Sequence, residues 1–89
     1  MSMKYILKIK HSAEKELNTF SLEIYKRITI HIFSLADNPR PMGSKKLKEK
    51  TYRIRVGDYR IIYSIDDSNK VVEIVKVGHR KDVYRIIES

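Results

Sequence analysis

Tyr52-Arg53-Ile54-Arg55-Val56-Gly57-Asp58-Tyr59-Arg60-Ile61-Ile62-Tyr63 is the stretch whose periodicity fixes the fold class. Tyr52, Ile54 and Val56 alternate with Arg53 and Arg55. After Gly57-Asp58 the alternation resumes, with Tyr59, Ile61, Tyr63 and Ile65 against Arg60, Ile62 and Ser64. Side chains along a strand point to opposite faces in turn, so a period of two sends the tyrosines and aliphatics one way and the arginines the other. Gly57-Asp58 suits the turn of a hairpin. Two residues of strand rise about 6.6 Å, so Arg53 and Arg55 stand as neighbours on one face. Arg60, near the hairpin end, is expected to join them.

Downstream, Asp67-Ser68-Asn69 reads as a second turn. Residues 71–77 are almost continuously β-branched, as in a strand covered on both faces. Gly78 breaks that strand, and Asp82 is placed to cap a short terminal helix over 83–87. Upstream, residues 4–10 alternate around Tyr5, Leu7 and Ile9 and predict a first strand. Ser12 is the expected N-cap of a helix carrying Ala13, Leu17 and Phe20. Ser21 is the expected cap of a second, with Ile24, Tyr25, Ile28, Ile32 and Leu35 at helical spacing. Asp37-Asn38-Pro39 stops it, because a proline disfavours helix at the residue before it. Residues 40–50, broken by Pro41 and Gly43, read as a loop. The predicted order is β-α-α-β-β-β with a small C-terminal helix: an α+β fold, with a helical hairpin packed on a mainly antiparallel sheet. The expected core is Tyr5, Leu7, Ile28, Ile32, Ile54, Ile61, Tyr63, Val75 and Val77. With no repeat, low-complexity tract or linker, residues 1–89 are expected to form a single domain.

A chain of 89 residues buries only about 60% of its unfolded surface, so packing must be tight or a partner must help. It has no cysteine, which excludes disulfides and thiolate metal sites and fits a reducing cytoplasm. No run approaches the roughly 18 apolar residues of a membrane span, and lysines interrupt the N-terminal segment, so neither membrane nor signal peptide is expected. The bulk signal is charge: 19 Lys and Arg against 11 Asp and Glu, a net +8. Between residues 40 and 60 there are eight basic residues against Glu49 and Asp58. Such a concentration favours a polyanion or an acidic partner.

Arginine suits phosphate because its rigid fork donates parallel hydrogen bonds and keeps its charge. Lys45, Lys46, Lys48 and Lys50 extend the basic surface as candidate RNA-backbone contacts. A solvated sheet face shows the same alternation, so Gly78-His79-Arg80, where the chain leaves the last strand, adds weight. His79 is the only histidine near this cluster in sequence and can transfer protons near neutral pH. Tyr84, four residues past Arg80, suits stacking on a base. His11 and His31 are remote, and His31 falls on the second helix, where it is expected at the surface. The histidines lack ligand spacing, so neither a metal nor a cofactor is expected. There is no phosphate-cradling glycine loop, Ser-His-Asp arrangement or cysteine nucleophile. Arg, Lys, His and Tyr suit metal-free RNA cleavage, in which the 2′-hydroxyl attacks the adjacent phosphate while the protein supplies charge and proton transfer.

The hairpin run together with Val77-Gly78-His79-Arg80-Lys81-Asp82-Val83-Tyr84 resembles the RelE/ParE toxin superfamily, in the RelE-type pattern of central hairpin and C-terminal segment. The order of elements agrees over almost the whole chain. The resemblance implies a RelE-like fold and the toxin of a type II toxin–antitoxin system. Such a toxin is a metal-independent endoribonuclease that enters the ribosomal A site and cuts messenger RNA, and a RelB-like antitoxin, acidic or amphipathic, wraps around it. By position, Arg53 and Arg55 match basic residues that hold or activate the RNA backbone. Arg60 matches an arginine on the scissile phosphate, Arg80 one at the leaving group, and Tyr84 a tyrosine that orients the cut nucleotide. RelE patterns carry lysines where this chain has Arg53 and Arg55. Because arginine does not give up its proton, His79 becomes the candidate general base and Tyr84 the second. Two other readings remain open: a ParE-like poison of DNA gyrase, and a basic RNA- or ribosome-binding module without catalysis.

Overall fold

The computed structural model describes residues 4–82. They form β1 (Ile6–Ile9), α1 (His11–Asn18), α2 (Leu22–Leu35), β2 (Lys45–Lys48), β3 (Thr51–Val56), β4 (Tyr59–Asp66) and β5 (Val71–His79). The strands lie side by side in the order β1-β5-β4-β3-β2. β1 runs parallel to β5, and the remaining neighbours are antiparallel. The predicted α+β architecture is present, with one strand more than expected. That strand is β2, where a loop is expected: Lys45-Lys46-Leu47-Lys48 has a single apolar residue and shows no alternation. It needs none: β2 is an edge, and lysines on an edge discourage pairing with a second molecule.

The β3–β4 ladder runs from Thr51↔Ser64 to Val56↔Tyr59 without interruption, closed by Gly57 and Asp58. Gly57 has φ +60°, the positive value that two-residue hairpin turns demand and that glycine adopts at no steric cost. Tyr52, Ile54 and Val56 thus share a face with Tyr59, Ile61 and Tyr63.

Ser21 caps α2 as expected, its hydroxyl oxygen accepting from the Ile24 N–H at 3.3 Å. Ser12 does not cap α1. Lys10 takes that position, because its N–H is held by the Ile74 carbonyl of β5 while its own carbonyl accepts from Glu14. The strand–helix junction sets the start of α1 two residues earlier than side-chain preference would.

Ala13 and Leu17 of α1 and Ile28, Ile32 and Leu35 of α2 pack on Ile54, Val56, Ile61, Tyr63, Ile65, Val72, Ile74 and Val77. Tyr5 and Leu7 pack half-buried at the margin. Val75, expected in the core, is outside it. The ladder pairs Ile62 with Lys76 but Tyr63 with Ile74, leaving Val75 as the extra residue of a β-bulge. The bulge shifts the phase of β5, so that Val72, Ile74 and Val77 all face the helices. Lys76, freed from the core side, forms an ion pair with Glu16 of α1. The other Glu16 oxygen accepts the Val77 N–H at 3.1 Å, covering the β5 edge beyond the end of β1. Residues 80–82 turn helical; the rest of the expected helix, 83–87, lies outside the described residues.

Ile28 and Ile61 are fully buried on opposite sides of the helix–sheet interface. Truncating either to alanine is expected to cost about 2–5 kcal/mol, read from the shift in a urea-unfolding midpoint at constant slope. Wild-type midpoints would mean that the faces are assigned wrongly.

Candidate functional site

Cross-strand register converts the arginine pattern into a surface. Arg53 stands opposite Ile62, Arg55 opposite Arg60, and Arg60 opposite Gly78. All three arginines therefore project from the sheet face away from the helices, and Gly78 adds no side chain beside Arg60. Arg53 and Arg60 are 7% and 5% exposed, whereas Arg55 is open to solvent. One Arg60 guanidinium nitrogen donates to the Gly57 and Tyr59 carbonyls at 3.0 and 2.9 Å, fixing the group against the hairpin turn. A cation held in a partly desolvated site acts on a phosphate through a lower effective dielectric than a surface lysine does. Arg80 is exposed, and its backbone N–H donates to the Asp58 carbonyl at 2.8 Å. The same turn thereby anchors both Arg60 and the exit from β5.

His79 is not part of this face. It pairs with Tyr59, and its ring meets the Tyr59 ring edge-on at 5.8 Å. Tyr59 in turn packs on Phe20 between the two helices. The His79 Nδ1 accepts the Lys81 N–H at 3.3 Å. In the sequence His79 lies between Gly78 and Arg80, but successive strand residues face opposite ways. With Gly78 on the arginine side, His79 points to the helix side, across the sheet from the arginines. Tyr84 lies outside the described residues.

The lysines divide by the same rule. Lys45 opposite Arg53, and Lys48 opposite Thr51, share the arginine face, whereas Lys46 opposite Tyr52 does not. Lys50 sits in the β2–β3 turn with φ +63°. Sequence reading missed a cleft of about 550 Å³ at the open end of β3, between His31 and Ser34 of α2, Met42 and Gly43 of the following loop, and Arg53 and Arg55. His31, expected at the surface, is half-buried there. Among the described residues no three His, Cys, Asp or Glu gather where a metal could be held, and no helix is long and apolar enough to cross a membrane. On the helix side, Ile9, Tyr25 and Phe33 are exposed, and two adjoining clefts share Ile9 and Phe33.

Residues 4–84 match the family described as the ParE toxin of the type II toxin–antitoxin system parDE. The chain belongs to the RelE/ParE family of type II toxins. This toxin is 31% identical over 86 residues to Toxin RelG of Mycobacterium tuberculosis, covering 93% of this chain and 99% of RelG. It is 33% identical to Toxin RelE of the same organism over 86 residues, covering 92% and 88%. Its fold matches the toxin–antitoxin complex RelBE2 of M. tuberculosis with TM-score 0.76 at 28% identity, over 86% of this chain and 99% of that one. The archaeal RelE–RelB complex of Pyrococcus horikoshii matches with TM-score 0.77 at 30% identity, over 88% and 97%.

At the opposite end of the sheet, the toxin ties four segments together through the Arg40–Asp67 pair. Asp67, in the β4–β5 turn, takes both guanidinium nitrogens of Arg40, at 3.3 and 2.8 Å, and the Tyr5 hydroxyl at 2.7 Å. Arg40 also donates to the Tyr52 hydroxyl and lies over its ring. Behind it, the Tyr63 hydroxyl donates to the Pro39 carbonyl at 2.7 Å, and burial pushes its phenol up to about 12. This clamp fixes the chain between α2 and β2, and with it the loop beside the His31 cleft. Hydrogen bonds from Arg40, then from Tyr5, hold the Asp67 carboxyl down to about 2. A depressed carboxyl contributes stability that is complete above the ordinary value near 4 and is lost as pH falls through about 2. Carboxylate-detected NMR should show Asp67 titrating near 2 in the wild type and near the ordinary value in Arg40→Met. An unchanged titration would show that Arg40 is not its principal partner.

Proposed function

We propose that this toxin is a metal-independent endoribonuclease that cuts messenger RNA in the ribosomal A site by attack of the 2′-hydroxyl on the adjacent phosphate. The observation that carries the reading is the convergence of Arg53, Arg55 and Arg60 on one face, with Arg80 leaving the sheet beside the same turn. Arg53 and Arg55 hold the RNA backbone, with Lys45 and Lys48 along the same face and Lys46 and Lys50 at its border. Arg60 sits on the scissile phosphate and Arg80 beside the departing 5′-oxygen. As the 2′-oxygen bonds to phosphorus, negative charge grows on the phosphoryl oxygens, and the fixed guanidinium groups stabilise it more than they stabilise the ground state. The P–O5′ bond breaks, the 2′-hydroxyl proton is removed and the 5′-oxygen acquires one, leaving a 2′,3′-cyclic phosphate and a 5′-hydroxyl. No arginine can take the proton. With His79 across the sheet, Tyr84 is the proposed proton-transfer residue and the group that stacks on the cut nucleotide. The ribosome supplies the bent RNA geometry, so free RNA is a poor substrate.

The single domain acts in the cytoplasm, where ribosomes are, and its partner is a RelB-like antitoxin. RelE toxins are bound to RelB in the M. tuberculosis and P. horikoshii complexes. A net charge of +8 suits an acidic segment over the arginine face, and the exposed Ile9, Tyr25 and Phe33 suit the apolar side of an amphipathic helix. Phe33→Glu is expected to weaken antitoxin capture at least tenfold while leaving growth arrest intact. Unchanged capture would remove the helical hairpin from the antitoxin's footprint.

The match to the ParE description favours one competing reading, a poison of DNA gyrase. Primer extension on messenger RNA in a translating extract separates the two. Wild type should give ribosome-dependent cuts without added metal. Arg60→Ala and Arg80→Ala should each lose about 10²–10³ in rate, and Tyr84→Phe about 10²–10⁴. DNA breaks with intact messenger RNA would assign the toxin to gyrase, and cuts surviving loss of both arginines would reject this site.

A further inference from the structure

The cleft beside β3 exists because the β2 strand stops pairing early. Lys45↔Arg53 is the last pair between β2 and β3. Two residues further in the same register, Gly43 would stand opposite Arg55. Instead the loop closes on itself, the Ser44 N–H donating to the Pro41 carbonyl at 3.0 Å, with Gly43 at φ +94°. The Ile65 N–H donates to the Lys50 carbonyl, which marks the even-numbered residues of β3 as those bonded to β4. The N–H and C=O of Arg55 therefore aim at the vacated side, into the cleft, while its guanidinium stays on the arginine face.

The other groups in the cleft have their hydrogens already assigned by their neighbours. His31 Nδ1 is 2.9 Å from the Arg27 carbonyl. A carbonyl oxygen only accepts, so Nδ1 carries the hydrogen, and Nε2 of the neutral ring is a bare acceptor. The Ser34 hydroxyl donates to the His31 carbonyl at 2.8 Å, which leaves its oxygen with lone pairs alone. Arg53 and the Gly43 backbone also line the cleft, and beside them it offers one peptide donor–acceptor pair on β3 and two acceptors on α2. Met42, fully exposed at the rim, supplies an apolar surface.

We infer that this cleft is a base-recognition pocket, which takes the nucleobase next to the arginine-held phosphates and selects adenine or cytosine over uracil. Its volume of about 550 Å³ is enough for a nucleotide. Adenine and cytosine each present an amino group beside a ring nitrogen. The ring nitrogen accepts from the Arg55 N–H, one amino hydrogen goes to the Arg55 carbonyl, and the second goes to His31 Nε2 or Ser34 Oγ. Uracil can pair with the peptide group, but it then turns a carbonyl oxygen toward the remaining acceptors, where lone pair meets lone pair. The inference deepens the nuclease reading by giving the cut a sequence preference, and it makes His31 a specificity-determining residue.

The test needs neither ribosome nor cleavage, so it fails independently of the nuclease reading. The full toxin is titrated with 5′-AMP, CMP and UMP while the His31 ring and the Ser34 and Gly43 amides are followed by NMR. AMP and CMP should shift these signals and bind about tenfold more tightly than UMP. His31→Ala should erase the difference, and His31→Gln, which keeps an acceptor oxygen, should retain it, both with wild-type helix content. Equal affinities, or shifts confined to Arg55, Arg60 and Arg80, would overturn the pocket and leave only phosphate binding. A toxin that prefers AMP yet cuts no messenger RNA would keep the pocket and lose the nuclease.

Discussion

The register of the β3–β4 hairpin is the constraint on which the rest of the toxin depends. A two-residue turn with Gly57 at φ +60° sets Val56 against Tyr59, and from that pair every other follows. Strand side chains have a period of two, so a slip of one residue would exchange the faces of the whole strand. In the observed register, Ile54, Val56, Ile61 and Tyr63 meet the helices while Arg53, Arg55 and Arg60 gather opposite them. Core and arginine face are two consequences of one ladder. The carbonyls of this turn and its flanks also hold the Arg60 guanidinium and the Arg80 N–H, so the element that sets the register also positions the cations.

Two devices around the hairpin keep that register usable. The bulge at Val75 corrects the parity of β5, so that Ile74 and Val77 both reach the core while Lys76 is turned out to Glu16. Glu16 then occupies the stretch of β5 edge that the short β1 leaves bare. At the far end, the Arg40–Asp67 clamp joins the β4–β5 turn to the segment after α2. Its exposed ion pair adds little stability by itself. Its role is to place the 40–44 loop, whose early departure from the ladder opens the end of β3. The sheet is thus closed along one edge by a carboxylate and opened along the other by a loop.

Strong periodicity was legible in the sequence, and single-residue exceptions to it were not. The alternation over 52–65 revealed the hairpin and its arginine face, and the spacing of Ile28, Ile32 and Leu35 revealed the buried side of α2. Ser21 read correctly because a cap is a local hydrogen bond. Ser12 misled because a tertiary bond from Lys10 to Ile74 overrides local preference. β2 escaped notice because an edge strand of lysines carries no hydrophobic signal. The Val75 bulge escaped because phase shifts are set by the partner strand. Adjacency to Arg80 does not show on which face His79 stands, because a strand sends neighbours to opposite sides, and the cleft at His31 is assembled from segments distant in sequence.

Burying two arginines works against the stability of a chain of this size, and their burial beside a turn that holds one of them fits a surface built to meet phosphate. The proposed cleavage therefore depends on which face the RNA crosses. The most direct measurement is the structure of the toxin on a translating ribosome whose messenger RNA carries a 2′-deoxy nucleotide at the cut position, so that the complex cannot react. The scissile phosphate should lie within hydrogen-bonding distance of Arg60, with Arg80 beside its 5′-oxygen and Arg55 on a neighbouring phosphate. Messenger RNA crossing the Phe20–Tyr59–His79 side, or touching none of these arginines, would contradict it.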